Sequence, residues 1–128
     1  MKYIENTVLP AVRGKTFALP GVFGTDRHTD AATLGEACWW LLDQYTPNPQ
    51  LGMVLDNSGI RSRAKVMNIL EGEPQEKGHY RFEDADFAVL QKVIGWIGPY
   101  ISRPDYSPIL EDLLGAAVTN LSEKEDGN

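Results

Sequence analysis

Between Asp30 and Tyr45 the apolar residues fall where one face of an α-helix requires them. Leu34, Cys38, Leu41 and Tyr45 recur at i, i+4, i+7 and i+11, and Ala37 and Leu42 widen the stripe. Thr29 or Asp30 can cap this helix, and Thr33-x-x-Glu36 forms an alternative capping box. Thr46-Pro47-Asn48-Pro49 ends it, because proline removes a backbone donor and biases the residue before it toward extended geometry. A chain with this segment must bury a helix face, and the rest of the sequence has to supply what covers it.

Three further helices supply that cover. Leu51, Met53, Val54 and Leu55 form an apolar run before the turn-like Asp56-Asn57-Ser58-Gly59. From residue 60 to 70, Ile60, Ser62, Ala64 and Val66 alternate with Arg61, Arg63 and Lys65 at strand period, while Ile60, Ala64, Met67 and Leu70 also fit a helical stripe. The length without a turn signal favours helix, with Asn57 or Ser58 as cap. A polar loop over 71–78 and Tyr80-Arg81-Phe82 lead to a helix capped near Asp84, with Phe87, Leu90, Val93, Ile94 and Ile97 buried, that stops at Gly98-Pro99. Ser107-Pro108 is an N-cap followed by proline, and Leu110, Leu114, Ala117 and Leu121 repeat at helical spacing after it.

The first 25 residues read differently. Tyr3-Ile4, Thr7-Val8-Leu9 and Thr16-Phe17-Ala18-Leu19 are β-formers separated by Pro10 and closed by Pro20-Gly21. They predict an edge hairpin, or an arm lying on the core or on a partner. The expected fold is therefore mainly α: about four helices in one domain spanning residues 1–121, with an extended or short β N-terminal segment. The alternative is α+β with a small hairpin or sheet. Residues 122–128 hold no apolar side chain and read as a disordered acidic tail.

Composition bounds the function. With 128 residues, 42% hydrophobic and 23% charged, the chain can build a core without staples. One cysteine, Cys38, excludes an intrachain disulfide and a thiolate zinc cluster, and fits a reducing, cytoplasmic setting. No apolar run approaches the ~20 residues of a membrane helix. The formal charge of −6 weighs against a grip on nucleic acid. Residues 82–128 hold nine acidic and three basic side chains, so this surplus lies in the last third.

Motifs for chemistry are sparse. Gly14-Lys15-Thr16 matches the end of a phosphate loop, but Leu9 stands where its first glycine belongs and Pro20 soon follows, so it is read as coincidence. Asp26, His28 and Asp30 would share one face of a strand and could ligate a divalent metal, as a small metal-dependent hydrolase or lyase would need, with Glu36 as a further ligand. The alternative is a solvated turn. Cys38 lies on an apolar stripe, where a thiol is inert. Asp84/Asp86 and Glu111/Asp112 are explained by helix beginnings and exposed faces, and Arg61, Arg63 and Lys65 by a solvated helix face. No catalytic, cofactor or metal residue is assigned.

The aromatics point elsewhere. Trp39 and Trp40 are adjacent, so on a helix they diverge by ~100° and at least one reaches the stripe's edge. Trp96, Tyr100, Arg103 and Tyr106 gather around two proline turns, and Trp, Tyr and Arg dominate interface hot spots. These six residues are the interaction candidates, for a protein partner or a homo-oligomer. An acidic decoy that occupies a nucleic-acid-binding protein through the carboxylates of residues 82–126 is a further reading.

The last half of the chain places an Arg61–Glu71 helix before Phe82-x-Asp84-Ala85-Asp86-Phe87-x-x-Leu90, then a short helix and an acidic tail. This layout resembles small bacteriophage and prophage proteins. The resemblance implies an accessory or assembly role and assigns no functional residue.

Overall fold

Four helices and one two-stranded antiparallel sheet make up the regular structure of a computed structural model that describes residues 1–101 and 103–119. The order is β1 (Lys2–Glu5), α1 (Leu34–Gln44), α2 (Asn57–Glu71), β2 (His79–Phe82), α3 (Asp84–Ile97) and α4 (Ser107–Gly115). The expectation of a mainly helical fold with a small sheet near the N-terminus is met. Leu121 and the tail at 122–128 lie outside the described residues. Among the described residues, no helix is long and apolar enough to cross a membrane.

The capping box Thr33-x-x-Glu36 starts α1, so the cap is Thr33 rather than Thr29 or Asp30. Thr33 Oγ1 accepts from Glu36 N–H at 3.2 Å, and Glu36 Oε1 accepts from Thr33 N–H at 2.9 Å. Ala37, Cys38, Leu41 and Leu42 are fully buried, because α2 and α3 pack on this helix and the N-terminal segment covers the remaining side. Leu41 and Leu42 each stabilise the fold by about 1.5–3 kcal/mol relative to exposure.

Helix α2 settles the ambiguous stretch as helix; of the expected stripe Leu70 is buried and Met67 half-buried against the core, but Ile60 and Ala64 are not. Gly59, Ser62, Val66 and Leu70 face inward, whereas Ile60 is 52% exposed and Ala64 is exposed. Apolar burial and polar pairing act together here. Ser62 Oγ–H donates to the buried carboxylate of Asp86 on α3 at 2.7 Å, which lets a hydroxyl share the inward face with Val66 and Leu70. The cap is Asp56, which accepts from Gly59 N–H at 2.7 Å, in place of Asn57 or Ser58. Asp86 lies in the first turn of α3, at a helix beginning as expected, and is buried there.

The N-terminal segment closes only one tight turn on itself, with Val12 bridging Lys15, and its longer pairings are made elsewhere. Tyr3 and Ile4 lie in β1, which pairs with β2 in the register Lys2↔Phe82 to Glu5↔His79. The Tyr80-Arg81-Phe82 link is thus a strand. The other candidate strands flank residues 29–34: Leu9 N–H reaches Ala32 C=O, Ala32 N–H reaches Phe17 C=O, and Leu34 N–H reaches Thr7 C=O. Threading the run-in to α1 between them gives its backbone groups the partners a private hairpin would have denied. Leu9, Phe17, Leu19 and Val22 are buried, so the arm packs on its own core.

The last helix is shorter than its sequence stripe. It ends at Gly115, and Val118 instead bridges Tyr3, with N–H to C=O bonds of 3.0 and 2.9 Å, on the edge of β1 away from β2. Ser107 is its first helical residue and not a side-chain cap, because the turn Pro104–Tyr106 runs straight into α4.

Candidate functional site

The fold divides the six interaction candidates. Trp39 is buried: its indole N–H donates to Glu71 Oε1 at 2.9 Å, and its ring meets Phe23 edge-on at 5.9 Å. Tyr106 is also buried, with its ring 4.7 Å from Phe17 and its hydroxyl 2.6 Å from the Pro10 carbonyl and 3.2 Å from that of Lys15. The Arg103 guanidinium lies 4.9 Å over the Tyr106 ring and donates to the Thr16 and Val12 carbonyls at 3.1 and 3.5 Å. These three serve the interior, and Arg103 with Tyr106 clamps the N-terminal segment to α4.

The other three line the surface. Trp96 is half-buried and stacks on Tyr45 at 6.2 Å, with the Lys92 ammonium 5.9 Å from its ring. Trp40 is half-buried and meets Phe17 edge-on at 6.1 Å. Tyr100 is 69% exposed. The divergence of adjacent tryptophans on a helix thus sends Trp39 inward and leaves Trp40 at the rim.

Trp40 and Tyr100 line one cleft of about 400 Å3. Gln44 joins Trp40 from α1, and Ile97 and Ile101 flank Tyr100 at the end of α3. The loop after α1 supplies Thr46, Asn48, Leu51 and Met53. Pro47 and Pro49 stop the helix there, and Asn48 and Met53 exchange two backbone bonds of 3.0 Å around Gly52, whose φ of +71° suits glycine. The Tyr45 hydroxyl pins the same loop, accepting from Leu55 N–H at 2.9 Å and donating to the Met53 carbonyl at 3.4 Å.

None of the lining side chains carries a charge. The cleft offers apolar and aromatic contact from Trp40, Leu51, Met53, Ile97 and Tyr100, with amide and hydroxyl bonds from Gln44, Thr46 and Asn48. Leu51 is 55% exposed and Tyr100 more so. Sequence reasoning found the two aromatics but not Leu51 or Met53; the signal was the apolar run 51–55 directly behind two prolines.

The chemical alternatives are not assembled. Asp26, His28 and Asp30 lie exposed on a bent loop, and no group of three or more His, Cys, Asp or Glu among the described residues is gathered to hold a metal ion. Gly14 belongs to a two-residue turn with Arg13, both at positive φ, between bridged Val12 and Lys15. No helix follows it, so it is not a phosphate loop. Burial pushes the Cys38 thiol up to about 12. His79 is buried in β2 with Nδ1 2.8 Å from the Lys77 carbonyl. Arg63 turns inward, its Nε–H donating to the Leu42 carbonyl at 2.9 Å, which breaks up the basic row on α2.

The acids of residues 82–128 are similarly dispersed. Asp86 is buried, and Asp105 pairs with Arg103 at 3.5 Å. The exposed Asp84 lies 2.9 Å from the N-terminal ammonium, which holds its carboxyl below the usual range. Glu123, Glu125 and Asp126 lie outside the described residues. Compared with protein-family models, curated proteins and solved structures, the chain matches none.

Proposed function

We propose that this chain is a binding protein, of an accessory or assembly kind, that holds an uncharged segment of another protein in the Trp40–Tyr100 cleft. The observation that carries this reading is Tyr100, a large aromatic side chain 69% exposed on the wall of an uncharged cleft. Leaving it in water forgoes the gain its burial would bring, and tyrosine and tryptophan in such settings are the residue types that anchor partners. Residues that could drive a reaction are buried, paired or scattered, so recognition by shape is the better supported class of function. The net charge of −6 and the neutral lining both weigh against a nucleic-acid ligand.

Selection from a random-peptide display library tests this directly. The expected result is enrichment of uncharged, apolar-rich sequences on the wild-type protein and their loss on Tyr100→Ser and Trp40→Ala. Enrichment that survives both substitutions would remove the cleft from the account. Light scattering on the same samples separates a foreign partner from self-association: a dimer dispersed by Leu51→Asp would make a second copy the occupant.

A further inference from the structure

Three of the six large apolar side chains that are exposed among the described residues, Leu51, Val54 and Tyr100, border one strip of surface. The strip is the chain between the Asn48–Met53 bridge and the start of α2. Asp56 is extended there (φ −75°, ψ −179°), Leu55 is buried and Val54 beside it is 48% exposed, the alternation of a strand. The Tyr45 hydroxyl bonds one edge of this segment, through Met53 C=O and Leu55 N–H. Tyr45 is itself held by stacking on Trp96 and by the Arg63 guanidinium 5.8 Å over its ring. On the opposite edge, the N–H and C=O of Val54 bond no protein group among the described residues. A segment pinned on one edge and free on the other at Val54 is therefore fixed in place beside the cleft.

A second cleft of about 390 Å3 begins on the other side of Val54, where Gly59 and Ser62 of α2 face Ala85, Ala88 and Val89 of α3. Its two charged residues are already engaged, Asp56 as the cap of α2 and Lys92 over the Trp96 ring. Neither cleft asks for an ionic partner.

Resting on the binding function proposed above, we infer that the partner segment is extended and uncharged, and adds as a short strand along Met53–Leu55. Its backbone bonds the N–H and C=O of Val54, and its side chains lie against the Trp40–Tyr100 cleft on one side and the α2–α3 cleft on the other. Main-chain bonds of this kind give affinity with little sequence demand, while flanking pockets select side chains. The contact needs only a short peptide, in contrast with the ~20–30 residues per side of a standard interface between folded proteins.

The test uses a fluorescein-labelled, end-capped octapeptide of alternating leucine and threonine, followed by polarisation. Two companions are needed: the same peptide N-methylated at alternate backbone nitrogens, and one alternating leucine and glutamate. Saturable binding is expected for the first and weakening by about tenfold or more for both others, together with slowed hydrogen exchange at the Val54 amide. Equal binding of the N-methylated peptide, with loss in Tyr100→Ser, would overturn strand addition and leave the cleft reading standing. Binding unchanged in Tyr100→Ser and Trp40→Ala would overturn both. Absence of binding to the wild-type chain at millimolar peptide would also overturn the strand.

Discussion

At the scale of single residues, the fold rests on a few polar groups that end up inside. Tyr106 is the clearest case, since its hydroxyl serves the carbonyls of Pro10 and Lys15 while its ring packs on Phe17. Tyr106→Phe keeps the ring and removes the donor, so urea denaturation should show a loss of about 1–2 kcal/mol, with hydrogen exchange rising first around residues 10–17. An unchanged midpoint would mean that water satisfies those carbonyls. Ser62→Ala removes the hydroxyl that donates to the buried Asp86 carboxylate, and should cost about 1–3 kcal/mol in the same assay. Cys38 gives a pH signature. Its thiol pKa stands at about 12 in the fold against 9.0 unfolded, so the unfolded chain loses the proton first as pH rises. The contribution is complete below about pH 9 and declines by about 1.4 kcal/mol per unit above it. Cys38→Ala should flatten that part of the stability curve, and a thiol reagent at pH 8 should label Cys38 only after unfolding.

At the scale of elements, local signals were legible and long-range pairings were not. Helix α1 was readable because its stripe, capping box and proline stop lie within a few residues of one another. The inward face of α2 was not, because the partner that lets Ser62 lie inward is Asp86, 24 positions later. The partner of β1 was equally hidden: a four-residue strand with two β-formers, Tyr3 and Ile4, carries no signal for which distant strand it joins, and Glu5 meets His79. The same limit applied to the cleft. Trp40 and Tyr100 were found by residue type, whereas Leu51 and Met53 gain meaning only when the loop after α1 folds beside the end of α3. One close approach offers a check on this packing. A Cβ at Gly35 would stand 2.8 Å from the Tyr80 ring and 3.0 Å from Asn6 Oδ1, so α1 can approach β2 only with glycine there. Gly35→Ala should lower stability by about 1–3 kcal/mol despite its better helix propensity, measured by thermal denaturation. A rise in stability would show that α1 and β2 sit further apart.

For the molecule as a whole, charge lies apart from the Trp40–Tyr100 cleft. The formal −6 is carried by side chains other than those lining the Trp40–Tyr100 cleft. Recognition there should accordingly be insensitive to salt: raising ionic strength from about 0.1 M to about 1 M shortens the Debye length from ~10 to ~3 Å and should change affinity for a selected peptide less than about twofold. A steep fall would return the acidic surface to consideration. The account's central claim, that this chain acts by holding a partner in that cleft, is tested most directly by amide and indole chemical-shift mapping with a display-selected peptide. The result it predicts is a set of shifts centred on Leu51, Val54, Tyr100, Ile101 and the Trp40 indole, extending to Gly59 and Ala88 where the added strand lies against the α2–α3 cleft, all saturating together. Shifts centred on the Asp26–Asp30 loop or on the exposed basic residues of α2, with the cleft silent, would contradict it.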